Sequence, residues 1–158
     1  MALEIERRFL LKNEGWKKFI TKKVFIEQGY LSKNLDDWII RIRFTGEDFK
    51  IALKKHIENF TSFEYEYSIP RKDGETIMAN LSNTIKKERF FLEVEKKSWI
   101  IDCFKENNYP LEIAEIELSK EEEDLSLPSF ISKEITGITD YSNFSLAKKP
   151  FSTWKNNI

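Results

Sequence analysis

The sequence predicts an α+β fold: an eight-stranded antiparallel β-barrel with flanking helices. Three observations predict it. The dominant periodicity is the two-residue alternation of strands, repeated along the chain in eight segments. Several links between those segments are short and carry turn residues. Like-charged residues recur two apart on separate strands, so one face of the sheet carries charge and the other apolar side chains. At 158 residues the chain has the length of about one domain, expected to span 1–158.

The elements follow in order. Strands are expected over 4–11, 24–32, 38–45, 49–56, 61–69, 84–96, 99–104 and 111–118. Thr45-Gly46-Glu47-Asp48 and Lys96-Lys97-Ser98 have the composition of hairpin turns, and Asn107-Asn108-Tyr109-Pro110 that of a looser loop. Helical patterns occupy 13–20 and 73–81, the second with Asp73 as its cap, and a short helical turn is expected around 128–131. The acidic run 121–124 is expected to be a solvated helix start, and the polar-aromatic stretch after Glu134 to pack over one end or side of the barrel. Mostly short loops point to a meander that can close on itself, with its first and last strands as neighbours. Trp38, Phe63, Tyr65, Tyr67, Phe90, Trp99 and Phe104 are expected on the outer face beneath the helices and the C-terminal segment, as core area.

Composition excludes several classes. Lys and Arg number 26 against 27 Asp and Glu, a formal charge of -1, which lacks the basic excess of a nucleic-acid coat or polybasic membrane binder. One cysteine, Cys103, leaves no disulfide within the chain, so the reducing cytoplasm is the expected compartment. One cysteine and one histidine, His56, do not make a zinc site of the usual type. The N-terminus places charges where a secretory leader needs an apolar run, and no apolar stretch is long enough to span a membrane.

The charge pattern carries the functional reading. Glu4/Glu6, Arg41/Arg43, Glu64/Glu66, Lys87/Arg89 and Glu115/Glu117 are pairs of one sign, two residues apart, each opposite apolar neighbours. In a strand such residues lie about 6.6–6.8 Å apart on one face. A solvated face mixes signs, because like charges repel. If these faces turn inward, the lumen has acidic and basic walls. Unpaired buried ions cost several kcal/mol each, so the lumen is wet and holds something charged. A polyanion shared between Arg/Lys and a carboxylate-held divalent cation fits, as in a phosphate chain with Mg2+ or Mn2+.

These residues also carry a resemblance. The opening Glu4-Ile5-Glu6-Arg7-Arg8 resembles the ExExK signature of the CYTH family, the triphosphate tunnel metalloenzymes, which include inorganic triphosphatases, thiamine triphosphatases and class IV adenylate cyclases. The resemblance continues through Gln28-Gly29-Tyr30-Leu31, Arg41-Ile42-Arg43, Leu53-Lys54, Phe63-Glu64-Tyr65-Glu66-Tyr67, Lys87-Glu88-Arg89, Asp102, Ala114-Glu115-Ile116-Glu117-Leu118 and Glu134-Ile135-Thr136-Gly137. It implies an eight-stranded antiparallel tunnel. Arg8 stands where the signature has lysine, a forked cation for a point charge. Ser62 stands where similar bacterial sequences carry a basic residue, so one phosphate contact is absent.

With the resemblance come roles. Glu4, Glu6, Glu115 and Glu117 are the first candidates for metal ligands, joined by Asp102, whose alternative is to satisfy a neighbouring Arg. Arg8, Arg41, Arg43, Lys54, Lys87 and Arg89 are candidates to bind the phosphates. Glu64 and Glu66 are candidates to hold a second metal or orient the attacking water. Tyr30 is a candidate base if nearby cations lower its pKa, with packing and a hydrogen bond to a tunnel Glu as the alternative. Lys50, His56 and Lys148 are candidates for the rim. The expected activity is metal-dependent hydrolysis of inorganic triphosphate. Nucleoside or thiamine triphosphates, or cyclisation of ATP, are alternatives that share the phosphate machinery. The expected partner is a triphosphate-containing small molecule, with neither nucleic acid nor membrane, and the chain is expected as monomer or homodimer. A non-catalytic polyphosphate sensor would not need the acidic pairs, and a lipocalin-like carrier would need an apolar lumen.

Overall fold

The computed structural model describes residues 2–34 and 36–154. Nine strands form one sheet: β1 (Leu3–Leu11), β2 (Ile20–Tyr30), β3 (Ile39–Phe44), β4 (Phe49–Glu58), β5 (Thr61–Ile69), β6 (Thr84–Val94), β7 (Lys97–Phe104), β8 (Glu112–Glu117) and β9 (Ile131–Glu134). Two α-helices, α1 (Arg71–Ala79) and α2 (Asn143–Lys148), and short 3-10 turns complete the described chain. Eight strands close a barrel in the order β1-β5-β4-β3-β2-β6-β7-β8, every pairing antiparallel, with β1 returning to β8. Among the described residues no helix is long and apolar enough to cross a membrane.

The first and last barrel strands are neighbours as expected, but the order is not a simple meander. β1 lies beside β5 and β2 beside β6. Closure at β1–β5 is narrow: Leu3, Glu4 and Ile5 pair with Phe63, Ser62 and Thr61. Beyond it, the same edge of β1 is taken by β9, where Phe9 pairs with Glu134 and Leu11 with Ile131. The short turn expected around 128–131 is present, closed by Ile131 N–H donating to the Pro128 carbonyl at 3.1 Å, and it leads into β9, which supplies hydrogen-bond partners to an edge that β5 leaves open.

The outer face is apolar and unevenly covered. Phe9, Trp16, Leu92, Trp99, Ile101, Ala114, Ile116 and Phe130 form a core over β6, β7, β8 and β1. Trp16 sits on the 3-10 turn Gly15–Phe19, which replaces the helix expected over 13–20. On the other half, α1 presses so close to the barrel that a Cβ on Gly74 would lie 2.2 Å from the Phe49 ring. This helix starts directly after Pro70, whose φ of -57° suits a helix entry, so Asp73 stands in the first turn and is not the cap. Phe63, Tyr65 and Tyr67 are exposed, contrary to the covered position expected of them. The run 121–124 is not a helix start: Glu121 accepts hydrogen bonds from Asn59 and Thr61, and Glu123 from Lys97, tying the loop to the barrel.

The inner face turns apolar at one end. Ile85, Phe104, Ile113 and Leu10 meet Tyr141, Leu146, Phe151 and Trp154 of the C-terminal segment, which closes that end. Phe104 therefore points inward, paired with Lys87, and not outward as expected. The segment does cap a barrel end, as its composition predicts. The opposite end, beside the β3–β4 turn, opens into a cavity of about 700 Å3 lined by Lys22, Arg43, Lys50, Glu66, Arg89 and Phe91 among others.

Candidate active site

Strand register places the charges on one wall. Residues directly opposite each other on neighbouring strands share a face. Glu4 faces Ser62, Glu6 faces Glu117 and Arg8 faces Glu115. Asp102 faces Arg89, Gln28 faces Arg43 and Tyr30 faces Arg41. Arg43 faces Lys50, Lys54 faces Glu64 and Ala52 faces both Arg41 and Glu66. The side-chain contacts across strands show that this face is the lumen. The inverted pattern, charge inside and apolar residues outside, is the physical content of the alternation in the sequence.

Most cations have acidic partners. Lys54 Nζ donates to Glu4 at 2.8 Å. Arg41 Nη2 lies between Glu64 at 3.2 Å and Glu66 at 3.1 Å. Arg8 Nε donates to Glu115 at 3.2 Å and Nη1 to the Tyr141 carbonyl at 2.9 Å. Asp102 is fully buried and takes three charge-assisted bonds: Arg89 Nε at 2.8 Å, Arg89 Nη2 at 2.9 Å and Lys87 Nζ at 2.7 Å. Lys87 is also fully buried, and its second bond is to Asn143 Oδ1 at 2.9 Å. It thus stands behind Arg89, at the closed end, and does not line the open cavity.

Electrostatics separate the groups. Burial would push the Asp102 carboxyl up, but Arg89 and Lys87 hold it well below the usual carboxylate range. Burial pulls the Lys87 ammonium down, more than Asp102 restores. Burial also pulls at Lys54, but Glu6 and Glu4 hold it above its ordinary value. For Arg43, burial with Arg41 and Arg89 alongside pushes the guanidinium down to about 9. A guanidinium keeps its proton in proteins, so Arg43 is a buried charge, beside two other cations, that an anion would stabilise. Among the described residues, the only side-chain hydrogen bond of Arg43 is to the neutral Gln28, at 2.9 Å. Arg41 Nε and Arg8 Nη2 are buried donors without hydrogen-bond partners among the described residues.

Two carboxylates are in the converse position. Glu6 has only a 3.9 Å approach from Arg8, and Glu117, exposed, has no ion pair among the described residues. Like charges directly opposite in a sheet are destabilising, so this facing pair asks for a cation. Among the described residues, no three His, Cys, Asp or Glu side chains are gathered as a ready ligand cluster. Mg2+ does not require one, since it keeps waters and takes one or two carboxylates plus substrate phosphates. The donors present therefore fit a hard divalent cation at Glu6 and Glu117, with Glu4 and Glu115 beside them.

Other candidates fall outside this core. His56 is exposed and bonded to the Asn59 carbonyl of its own turn at 2.9 Å. Lys148 is exposed, donates to the Lys33 carbonyl and lies over the Phe144 ring, so it braces the cap. Lys50 stands at the open mouth, 3.8 Å from Glu66. Tyr30 is buried, and burial raises its pKa against the downward pull of Arg41, Arg43, Gln28 and Lys54. Its hydrogen-bond partner is Gln28, at 2.6 Å, and not a tunnel Glu. Gln28, Asn143 and the Tyr141 carbonyl hold site cations and were not among the expected residues. Only the parity of Gln28 with Tyr30 on β2 could have signalled the first of them.

No family model matches the chain. A curated inorganic triphosphatase from Acetivibrio thermocellus is 32% identical over 157 residues, covering 98% of this chain and 99% of that protein. Among solved structures, the inorganic triphosphatase NE1496 is similar with a TM-score of 0.68 at 26% identity, over 93% of this chain and 95% of that one. A Hippeastrum protein named as an adenylyl cyclase with a dominant triphosphatase activity has a TM-score of 0.58 at 17% identity, over 77% of this chain and 81% of its own. That last likeness shows the fold alone.

Proposed function

The chain belongs to the CYTH family, the triphosphate tunnel metalloenzymes, and on that premise we propose that it hydrolyses inorganic triphosphate inside its barrel with a divalent cation, Mg2+ or Mn2+. The observation that carries this is the set of cationic donors left without anionic partners: Arg43, whose side-chain bond is to a neutral amide, with Arg41 Nε and Arg8 Nη2. Buried donors of this kind are rarely left unpaired in a finished structure. A phosphate chain supplies the missing acceptors.

Arg8, Arg41, Arg43 and Arg89 bind and orient the phosphates, and Lys54 adds charge from β4. Positioning and charge stabilisation are most of what phosphoryl transfer asks of a protein. Glu6 and Glu117 would hold the cation, with Glu4 and Glu115 flanking. When bound, such an ion offsets charge on the phosphate oxygens and on the leaving group. Glu64 and Glu66 share one Arg41 nitrogen, and while the second oxygen of Glu66 lies 3.8 Å from Lys50, that of Glu64 has no hydrogen bond among the described residues and would orient the attacking water. Water oxygen bonds to a terminal phosphorus, the anhydride P–O bond breaks, pyrophosphate leaves, and the water proton passes to solvent. Asp102 we assign to fixing Arg89 and Lys87, because its oxygens are already engaged by these cations.

The test is phosphate release from inorganic triphosphate, ATP and thiamine triphosphate, each with Mg2+, Mn2+ or chelator. Release of orthophosphate from inorganic triphosphate that chelator abolishes is the expected result. Preferential use of ATP, with cyclic AMP as product, overturns the hydrolase reading.

A further inference from the structure

Gln28 is fully buried and sits between two site residues. Its Oε1 accepts from Arg43 Nε at 2.9 Å, and its Nε2 donates to Tyr30 Oη at 2.6 Å. The direction of this chain is forced. A guanidinium has donors only, so the amide must turn its oxygen to Arg43 and its NH2 to Tyr30. Tyr30 Oη is then an acceptor in that bond, and its own proton must point elsewhere. Among the described residues no hydrogen bond has this hydroxyl as its donor, and Arg41, Arg43 and Lys54 nearby are cations, which cannot accept it.

The ring is held for such a role. Phe144 meets it edge-on with centroids 5.5 Å apart. Behind the strand, a Cβ on Gly29 would lie 2.6 Å from Leu81, so the backbone between Gln28 and Tyr30 is pressed against the β5–β6 connection. The hydroxyl therefore has a fixed place and a fixed proton direction.

We propose that Gln28 is a positioning residue that sets the Tyr30 hydroxyl as a hydrogen-bond donor to a phosphate oxygen of the bound substrate. This rests on the triphosphatase reading above and replaces the expectation of Tyr30 as a base. Arg43 and Tyr30 become one unit: the cation that binds phosphate also orients the amide that aims the hydroxyl.

The test compares Gln28→Glu, Gln28→Met, Tyr30→Phe and the Gln28→Glu/Tyr30→Phe double variant in steady-state hydrolysis of inorganic triphosphate at saturating Mg2+. A carboxylate at position 28 accepts from both Arg43 and Tyr30, so it keeps two hydrogen bonds but draws the tyrosine proton away from the lumen. Met removes both bonds and leaves the hydroxyl free to donate. A merely structural Gln28 would make Gln28→Met the worse variant. The proposal requires the reverse order in kcat, with Gln28→Glu reduced roughly ten- to hundredfold, the worth of one hydrogen bond to a charged group. It also requires that Gln28→Glu cost nothing further in kcat once the hydroxyl is gone, changing KM alone. Gln28→Met falling below Gln28→Glu, or an equal cost of Gln28→Glu with and without the hydroxyl, overturns it. Should Gln28→Glu fail to fold by circular dichroism, Gln28→Met must still exceed Tyr30→Phe in kcat. A wild-type protein that releases no phosphate defeats the function itself. An active wild type with the reversed order defeats only this inference.

Discussion

Replacing Asp102 with Asn keeps the shape of the side chain and removes one buried negative charge. In the native barrel that charge is shared by Arg89, through two hydrogen bonds, and by Lys87, through one, and neither Asp102 nor Lys87 has any exposed side-chain surface. The amide offers one acceptor and turns an NH2 toward a cation, leaving Lys87 and Arg89 side by side without compensation. Removing one partner of a buried ion pair costs about 3–5 kcal/mol, a large part of a total stability of about 5–15 kcal/mol. At about 2–4 °C per kcal/mol for a domain of this size, Tm should fall by roughly 10 °C. Thermal unfolding of the metal-free, substrate-free protein measures it. The pH dependence has a definite sign. An unfolded Asp protonates near its ordinary value of about 3.9, whereas Arg89 and Lys87 hold the folded carboxyl lower against the opposing effect of burial. The contribution is therefore complete above that ordinary value and lost as pH falls through the depressed one. The wild-type advantage should shrink in acid. Were Asp102 primarily a metal ligand, its loss without metal would relieve repulsion among carboxylates, and an unchanged or higher Tm for Asp102→Asn would refute the assignment.

Three further outcomes follow from the same geometry. Glu117→Gln should raise metal-free stability by about 0.2–1 kcal/mol, since it relieves like charges directly opposite in the sheet; Glu6→Gln, which also removes the charge that supports Lys54, and Glu4→Gln, which breaks the 2.8 Å bond to Lys54, should not melt higher, and Glu6→Gln and Glu117→Gln should both abolish Mg2+-dependent phosphate release. Arg43→Met removes a cation with no acidic partner, so melting should hold or rise while KM for triphosphate rises roughly tenfold or more; an unchanged KM would take Arg43 out of the phosphate site. Arg8→Lys replaces a fork whose separate nitrogens reach Glu115 and the Tyr141 carbonyl with one shorter point charge, so kcat should fall in that variant and further in Arg8→Ala, as steady-state kinetics at saturating metal will show.

What the sequence made legible was local and periodic. Alternation placed the eight barrel strands to within a few residues, and the sign-pure pairs identified the lumen, because both depend on the two-residue repeat of an extended chain. The order of strands did not follow, since placing β1 between β8 and β5 is a choice among distant partners that no local spacing encodes. β9 was illegible for the same reason: Ile131–Glu134 is a strand only because β1 leaves an edge unpaired there. Charged candidates could be found by type, whereas neutral groups could not. Gln28, Asn143 and the Tyr141 carbonyl act through hydrogen bonds to Arg43, Lys87 and Arg8; Gln28 stood in a segment of the resemblance but without a role, and nothing in the identity of the other two marks them before the fold brings them together. The aromatic residues of β5 were misplaced because alternation gives the face of a strand and not what covers it.

The unmet charges also have a spatial logic. In the closed order, β3 and β8 are four strands apart in either direction, so Arg43 and Glu117 belong to opposite walls. An eight-stranded barrel is just wide enough for side chains to fill its interior, and here Arg43 rests on Gln28 from its own side while Glu6 and Glu117 face each other across β1 and β8. Acid and base that could have neutralised one another are held apart by the strand order. Either one alone would favour a simple ion: a bare phosphate chain on the β3 wall, or a bare cation on the β1–β8 wall. On the proposed function, a phosphate chain that carries its own divalent cation would satisfy both at once: Glu6 and Glu117 would hold the cation, and Arg41 and Arg43 would bind phosphate. On the function proposed above, a barrel with these two unmet groups would favour the metal–triphosphate complex over either component alone.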